Sequence, residues 1–154
     1  MISAWRIVQE RYSHQAFTGE GARLYGGRWN SPGVPMIYTS QSRSLAALEM
    51  LVHLDSPKLL RSYLLFEVEF DEALMTTLDL ADLPPDWKLE PAPGSTRKLG
   101  DLWVAKAGSV VLGVPSTVIS QELNFLLNPA HPDFPKLRKL PPQRFDFDPR
   151  LKAE

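Results

Sequence analysis

The chain contains no cysteine. That excludes disulfides, thiolate zinc sites and a cysteine nucleophile, and it makes the cytoplasm the simplest expectation for its compartment. An excess of charge of either sign is also missing. Seventeen basic residues stand against 18 acidic ones, giving a net charge of −1 and a pI near 6.3. A nucleic-acid binder working through a broad basic surface usually has a pI above ~9, so the balance argues against that class, although it does not exclude a small local patch. No apolar run approaches the ~18 residues of a membrane span. Met1 to Arg6 holds no stretch long enough for the core of a signal peptide. Nucleotide fingerprints are absent as well. Gly19-Glu20-Gly21 begins a GxGxxG pattern that fails at Leu24, and no GxxxxGK[ST] exists. His14, His53 and His131 make neither HExxH nor another tight ligand spacing, so no metal site is expected.

What is present suffices for a core. The 154 residues fit one domain, 1–154, within the common range of ~100–150. Leu, Ile, Val and Phe supply 43 of them, well above the fraction at which disorder is expected. The 14 prolines point to loops and extended edges rather than long helices.

Residues 5–8 read as a first strand. Five of the nine glycines fall within 17–33, which reads as mostly loop. Residues 34–40 read as a strand whose start Pro35 places at an edge. Ser42 to Asp55 reads as a helix that is apolar nearly all round, and therefore buried. In 63–70, Leu64, Phe66, Val68 and Phe70 face one side and Glu67 and Glu69 the other, the mark of a half-buried strand. A second helix is expected over 96–107, with Leu99, Leu102 and Trp103 on one face. A β-branched strand follows at 109–114, and a last strand at 144–148. Strands and helices mix without regular βαβ alternation, which predicts an α+β fold rather than a doubly wound parallel sheet.

Two features carry candidate chemistry. Glu49 interrupts the helix 42–55 at about 40° from Leu45. A buried carboxylate costs several kcal/mol unless it is paired. His53 lies at i+4 on the same face, so a structural Glu49–His53 pair is the simpler reading and a carboxylate lining a pocket the functional one. The second feature is Gly26-Gly27-Arg28-Trp29-Asn30. An Arg beside two glycines can approach a phosphate or carboxylate closely, and its planar fork suits an anion. A surface loop Arg is the commoner case. Ser116 follows Pro115 without a GxSxG context and by itself reads as a turn or cap residue. Asn128-Pro129-Ala130-His131-Pro132-Asp133-Phe134 reads as a rigid architectural loop. Tyr25 and Tyr38 suit either stacking on a flat ring or a place in the core.

Taken in order, a set of blocks resembles the RES domain family. The set is Gly19-x-Gly21-Ala22, Gly26-Gly27-Arg28-Trp29-Asn30, Tyr38-Thr39-Ser40, Leu45-Ala46-x-Leu48-Glu49, Glu122-x-Asn124, Asn128-Pro129-x-His131-Pro132-Asp133 and Phe145-x-Phe147-Asp148-Pro149-Arg150-Leu151. The family is named for an Arg, a Glu and a Ser, which match Arg28, Glu49 and, in Val114-Pro115-Ser116, Ser116; Ser120 is the second candidate. Residues 71–100 add little to the likeness.

The resemblance implies a single domain similar to the ADP-ribosyltransferase fold, a mostly antiparallel core with flanking helices. It implies the toxin of a bacterial toxin–antitoxin pair, with NAD as substrate and no metal. A helix-turn-helix antitoxin would cover the active site, and DNA binding would belong to that partner. By the same likeness Arg28 would hold a phosphate of the NAD pyrophosphate, and Glu49 would stabilise the developing oxocarbenium ion. Tyr38 would pack against nicotinamide or its ribose, and Ser116 would hydrogen-bond one of them. Arg6 and Asn124 are further NAD-binding candidates. The ADP-ribosyl acceptor stays open between water, phosphate and a protein side chain, with NAD destruction placed first. A protein-modifying mono-ADP-ribosyltransferase is the alternative. Two other rivals are a non-catalytic binding module on the same fold, which would lack Arg28, Glu49 or Tyr38, and an enzyme unrelated to NAD. A two-fold homodimer is the commonest assembly to expect.

Overall fold

The computed structural model describes residues 1–152; Ala153 and Glu154 lie outside the described residues. Its longest pairing joins the two ends of the first 70 residues. β1 (Ile2–Gln9) and β3 (Tyr63–Phe70) run antiparallel in unbroken register from Ile2 opposite Phe70 to Gln9 opposite Tyr63. The alternation in β3 explains why it sits inside a sheet. Val68 and Phe70 enter a core on one face with Ala4, Ile37 and Leu127. Tyr63 and Leu65 point the other way and pack with Ile7, Ala46 and Leu51.

The remaining strands are β2 (Ile37–Ser40), β4 (Met75–Thr77), β5 (Val111–Pro115), β6 (Leu123–Leu127), β7 (Arg138–Lys139) and β8 (Gln143–Phe145). The sheet order is β4-β5-β6-β2-β1-β3-β7, with β8 also on β3, and among the described residues only β4–β5 is parallel. β2 pairs with β6 along all four of its residues but meets β1 only at Trp5 opposite Ser40. The sheet therefore opens between β1 and β2. There the Arg6 side chain donates from Nη1 to the Tyr38 carbonyl at 3.0 Å, replacing a ladder bond.

Three helices flank this sheet: α1 (Glu20–Tyr25), α2 (Arg43–Leu51) and α3 (Gly94–Lys106). The mixture is α+β, as the sequence indicates. Several boundaries differ. α1 forms inside the expected loop. β2 starts at Ile37, and Pro35 precedes an interior strand rather than marking an edge. Ser42 caps α2, its side chain accepting from Leu45 N at 3.0 Å. The helix ends at Leu51 because His53 and Leu54 switch to tighter i−3 bonds with Met50 and Leu51. It is buried on one side only: Leu45, Ala46 and Leu51 are covered, whereas Leu48 and Val52 are exposed. Leu102 of α3 is likewise exposed, while Leu99 and Trp103 pack inward. The last strand is shorter and earlier than 144–148, ending at Phe145, and Phe147 turns into the core against Tyr63. β4, β6 and β7 were not expected.

Candidate active site

Cross-strand partners share a face of a sheet. Ser40 lies opposite both Trp5 and Asn124, and Asn124 opposite Val114. These residues therefore line the face that α2 covers through Ala46 and Leu51. Glu49 enters this face from α2. Its Oε2 accepts from the Ser116 hydroxyl at 2.8 Å and from Asn124 Nδ2. A carboxylate only accepts, so Asn124 must present its amide nitrogen to Glu49 and its oxygen to the other side. That oxygen accepts from Ser40 Oγ at 2.8 Å. Ser116 Oγ in turn accepts from the Val118 and Ile119 amides at 3.0 and 3.1 Å, which makes it a turn residue. Both side-chain donors thus converge on one oxygen. Oε1 receives no hydrogen bond among the described residues, and Glu49 itself is half-buried.

The cationic side is built differently. Arg28 sits in the loop between α1 and β2, and α3 grips that loop from behind. Thr96 Oγ1 donates to the Arg28 carbonyl at 2.6 Å, and Arg97 Nε to the Gly27 carbonyl at 3.2 Å. Asp101 accepts from the Ser31 amide at 2.9 Å and from its hydroxyl. A Cβ on Gly100 would stand 1.6 Å from the Trp29 carbonyl oxygen, so only glycine lets the helix come this close. From the sheet side, the Tyr38 hydroxyl donates to Asn30 Oδ1 at 2.6 Å and accepts from the Trp29 amide at 3.0 Å. Asn30 is fully buried, and its Nδ2 serves the carbonyls of Ala22, Ser31 and Val34. A Cβ at Gly27 would lie 2.6 Å from the Tyr38 hydroxyl, which explains the second glycine of the pair.

The Glu49 carboxylate acts on Arg28 through its field. Burial pushes the Arg28 guanidinium below its ordinary value, and the Glu49 carboxylate and then Tyr38 pull it back. Burial raises the Tyr38 phenol well above the usual tyrosine value, with the Trp29 amide opposing. Tyr38 thus stays a neutral donor and brace rather than a base.

Three of the six candidates therefore meet directly, Glu49, Ser116 and Asn124. Arg28 touches none of them among the described residues, its side chain resting on Trp87, Leu89 and Glu90, and it senses Glu49 only through the field of the carboxylate. Tyr38 joins through its brace on the Arg28 loop. Arg6 does not join them. It alternates with Trp5 on β1 and so points to the opposite face of the sheet. Its Nε is buried without a partner among the described residues, and burial pushes its guanidinium down to about 10. Ser116, not Ser120, reaches Glu49. The Glu49–His53 pair does not form: His53 is exposed on the turn after α2, and Glu49 is satisfied from β6 and the loop after β5. Tyr25 is 82% exposed and so is not a core residue. The 128–134 loop is architectural as expected. His131 Nδ1 accepts from the Asp133 amide at 2.9 Å, which leaves Nε2 to donate to the Ala107 carbonyl at 2.9 Å. Reading by residue missed Ser40 and the segment 84–93, whose carbonyls and Glu90 meet Arg28. The Tyr38-Thr39-Ser40 block held the only signal for Ser40. Among the described residues no three His, Asp or Glu side chains converge as a metal site.

The RES domain model matches residues 3–148, nearly the whole chain. The chain belongs to the RES domain family. Among curated relatives of this RES domain, Toxin Res of Yersinia enterocolitica is 43% identical over 96% of this chain and 98% of its own length. The Prs ADP-ribosylating toxin of a Sphingobium species is 36% identical over 97% and 96% of the two chains. A solved relative in fold is found in the MbcT–MbcA toxin–antitoxin complex of M. tuberculosis. It superposes with a TM-score of 0.75 at 19% identity, covering 98% of this RES domain and 86% of that chain.

Proposed function

We propose that this RES domain is the toxin of a toxin–antitoxin pair and consumes NAD by breaking its nicotinamide–ribose bond. The observation that carries the reading is Glu49, clamped at Oε2 by Ser116 and Asn124 and standing within electrostatic reach of Arg28. Nicotinamide leaves as a neutral group from a cationic one, taking the C–N electron pair, so the step needs no strong general acid. The ribose carbon left behind gains oxocarbenium character, and a fixed carboxylate beside it stabilises that charge. Glycoside hydrolysis divides similar duties between two carboxylates. Here the Oε1 edge of Glu49 would face the ribose while Arg28 held a phosphate. Ser116 and Asn124 would orient the carboxylate, and Tyr38 would support the wall of the nicotinamide pocket. The acceptor oxygen, from water or phosphate, would attack the ribose carbon and release its proton.

A second reading is favoured by the Sphingobium relative, whose name records ADP-ribosylation of Prs. On that reading a protein side chain replaces water or phosphate as acceptor. A non-catalytic module is disfavoured because Arg28, Glu49 and Tyr38 are all present and assembled. The toxin–antitoxin complex of the structural relative supports an antitoxin as partner of this chain; that this antitoxin is of helix-turn-helix type and sits over the site is part of the proposal. A cytoplasmic location and a two-fold homodimer complete the proposal. No helix among the described residues is long and apolar enough to cross a membrane.

The test is nicotinamide release from NAD by the purified chain, with and without phosphate, beside Glu49→Ala. Release by the wild type alone establishes cleavage, and the product made with phosphate identifies the acceptor. If NAD survives but labelled NAD marks a protein in lysate, the second reading holds. If neither occurs, both fail. Expression should arrest growth, and Arg28→Ala should relieve the arrest.

A further inference from the structure

Arg28 is already engaged. Its Nη1 donates to the carbonyls of Trp87 at 3.0 Å and Leu89 at 2.8 Å, and its Nη2 pairs with the Glu90 carboxylate. All three contacts come from one strap, residues 84–93, which spans the segment before α3. We propose that Glu90 is a built-in competitor for the anion that Arg28 binds, so that the strap sets how tightly the site takes a diphosphate. The inference rests on the reading of Arg28 as the phosphate ligand.

The two members of the pair differ in freedom. The Arg28 side chain is 12% exposed, that of Glu90 68%. Arg28 cannot retreat, because α3 holds its backbone through Thr96 and holds its neighbour Gly27 through Arg97. The body of the strap is fixed too. Trp87 and Leu89 close turns onto Pro84 and Asp86, and Asp86 accepts from Ser95 Oγ at 2.6 Å. Glu90 is the part with water on most of its surface, so its carboxylate is the group able to leave. The strap carbonyls would still orient the guanidinium after it left. A phosphate arriving at Nη2 must displace Glu90 or lie beside its charge. Competition and repulsion act in the same direction: removing the charge strengthens anion binding. Had Glu90 served instead to position Arg28, removing it would weaken binding.

Calorimetric titration with ADP-ribose separates these cases, because it requires no cleavage. Glu90→Gln is expected to bind about fivefold more tightly than the wild type, the size of a partly exposed ion pair or of a state free one time in five. Glu72→Gln, an exposed residue of the turn after β3, removes the same charge and should leave affinity unchanged. Inorganic pyrophosphate should repeat the order of affinities, and Arg28→Ala should abolish the gain. In an NAD assay Glu90→Gln should lower KM with kcat unchanged. Equal or weaker ADP-ribose binding by Glu90→Gln overturns the proposal even if the wild type consumes NAD. Tighter binding by a chain that never cleaves NAD keeps the proposal and removes the cleavage reading. No binding by either chain overturns both.

Discussion

The two sides of the site are made by opposite means. Glu49 belongs to a helix laid on a sheet, and its partners stand on β6 and just after β5, where strand register fixes them. Arg28 belongs to a loop that α3 and Tyr38 hold by its backbone, while its guanidinium rests on a strap with an exposed carboxylate. The anionic side is preorganised, with every hydrogen bond in place before a ligand arrives. The cationic side is positioned but occupied. Charge that develops only in the transition state is best met by groups that do not rearrange. Charge that arrives with a ligand can be met by a group whose availability is adjustable. The comparison assigns chemistry to one side and affinity to the other, and substitutions can break it.

The largest effect is expected on the fixed side. Gln at position 49 can keep its oxygen on Ser116 and Asn124 but removes the charge. Glu49→Gln should cut NAD turnover by about a hundredfold or more without changing the melting temperature or ADP-ribose binding. Next comes the grip on the loop. Gly100→Ala drives a methyl into the Trp29 carbonyl, so α3 must back away, at about 3 kcal/mol of stability. Chemical denaturation measures that loss, and ADP-ribose binding should fall with it.

Ser40→Ala sharpens the comparison further. It leaves the Asn124 oxygen without its donor and frees the amide to turn its acceptor toward Glu49. Turnover should fall roughly tenfold with ADP-ribose affinity retained. A fall in affinity instead would mean that the two sides are not separable.

Tyr38→Phe tests the brace on the Arg28 loop. It strands the Asn30 oxygen and should cost about 2 kcal/mol at neutral pH. Its pH signature has a definite sign. The folded phenol titrates above the unfolded one, so its contribution to stability is complete below pH ~10 and fades as pH rises toward the folded value. Denaturation curves of the wild type should lose stability through that alkaline range, and Tyr38→Phe should lose less. The phenolate absorbance of Tyr38 should emerge late in the native titration.

How far the site was legible follows from where its contacts come from. Glu49 stood out because it broke a local pattern, and Arg28 because two glycines preceded it. The resemblance then joined them to Ser116. The partners of Glu49 lie 67 and 75 residues away, so nothing in the periodicity of the helix could reveal them, and the nearby His53 looked like the better match. The alternation in β3 was readable because Glu67 and Glu69 stay partly exposed on one face while Phe66, Val68 and Phe70 are buried on the other. β6 was not: Leu123-Asn124-Phe125-Leu126-Leu127 is too short an apolar run to tell strand from helix. The strap at 84–93 has no periodicity at all, and its role depends on backbone carbonyls, which any residue carries. That Arg6 faces away from Glu49 is set by strand parity, visible only once β1 was placed against β3.

The most direct test of the two-sided account is one experiment on three proteins. ADP-ribose binding and nicotinamide release from NAD are measured together for the wild type, Glu49→Gln and Arg28→Ala. The account predicts that Glu49→Gln binds like the wild type yet releases nicotinamide about a hundredfold or more slowly, while Arg28→Ala loses binding. Turnover by Glu49→Gln at the wild-type rate, or undiminished binding by Arg28→Ala, would contradict it.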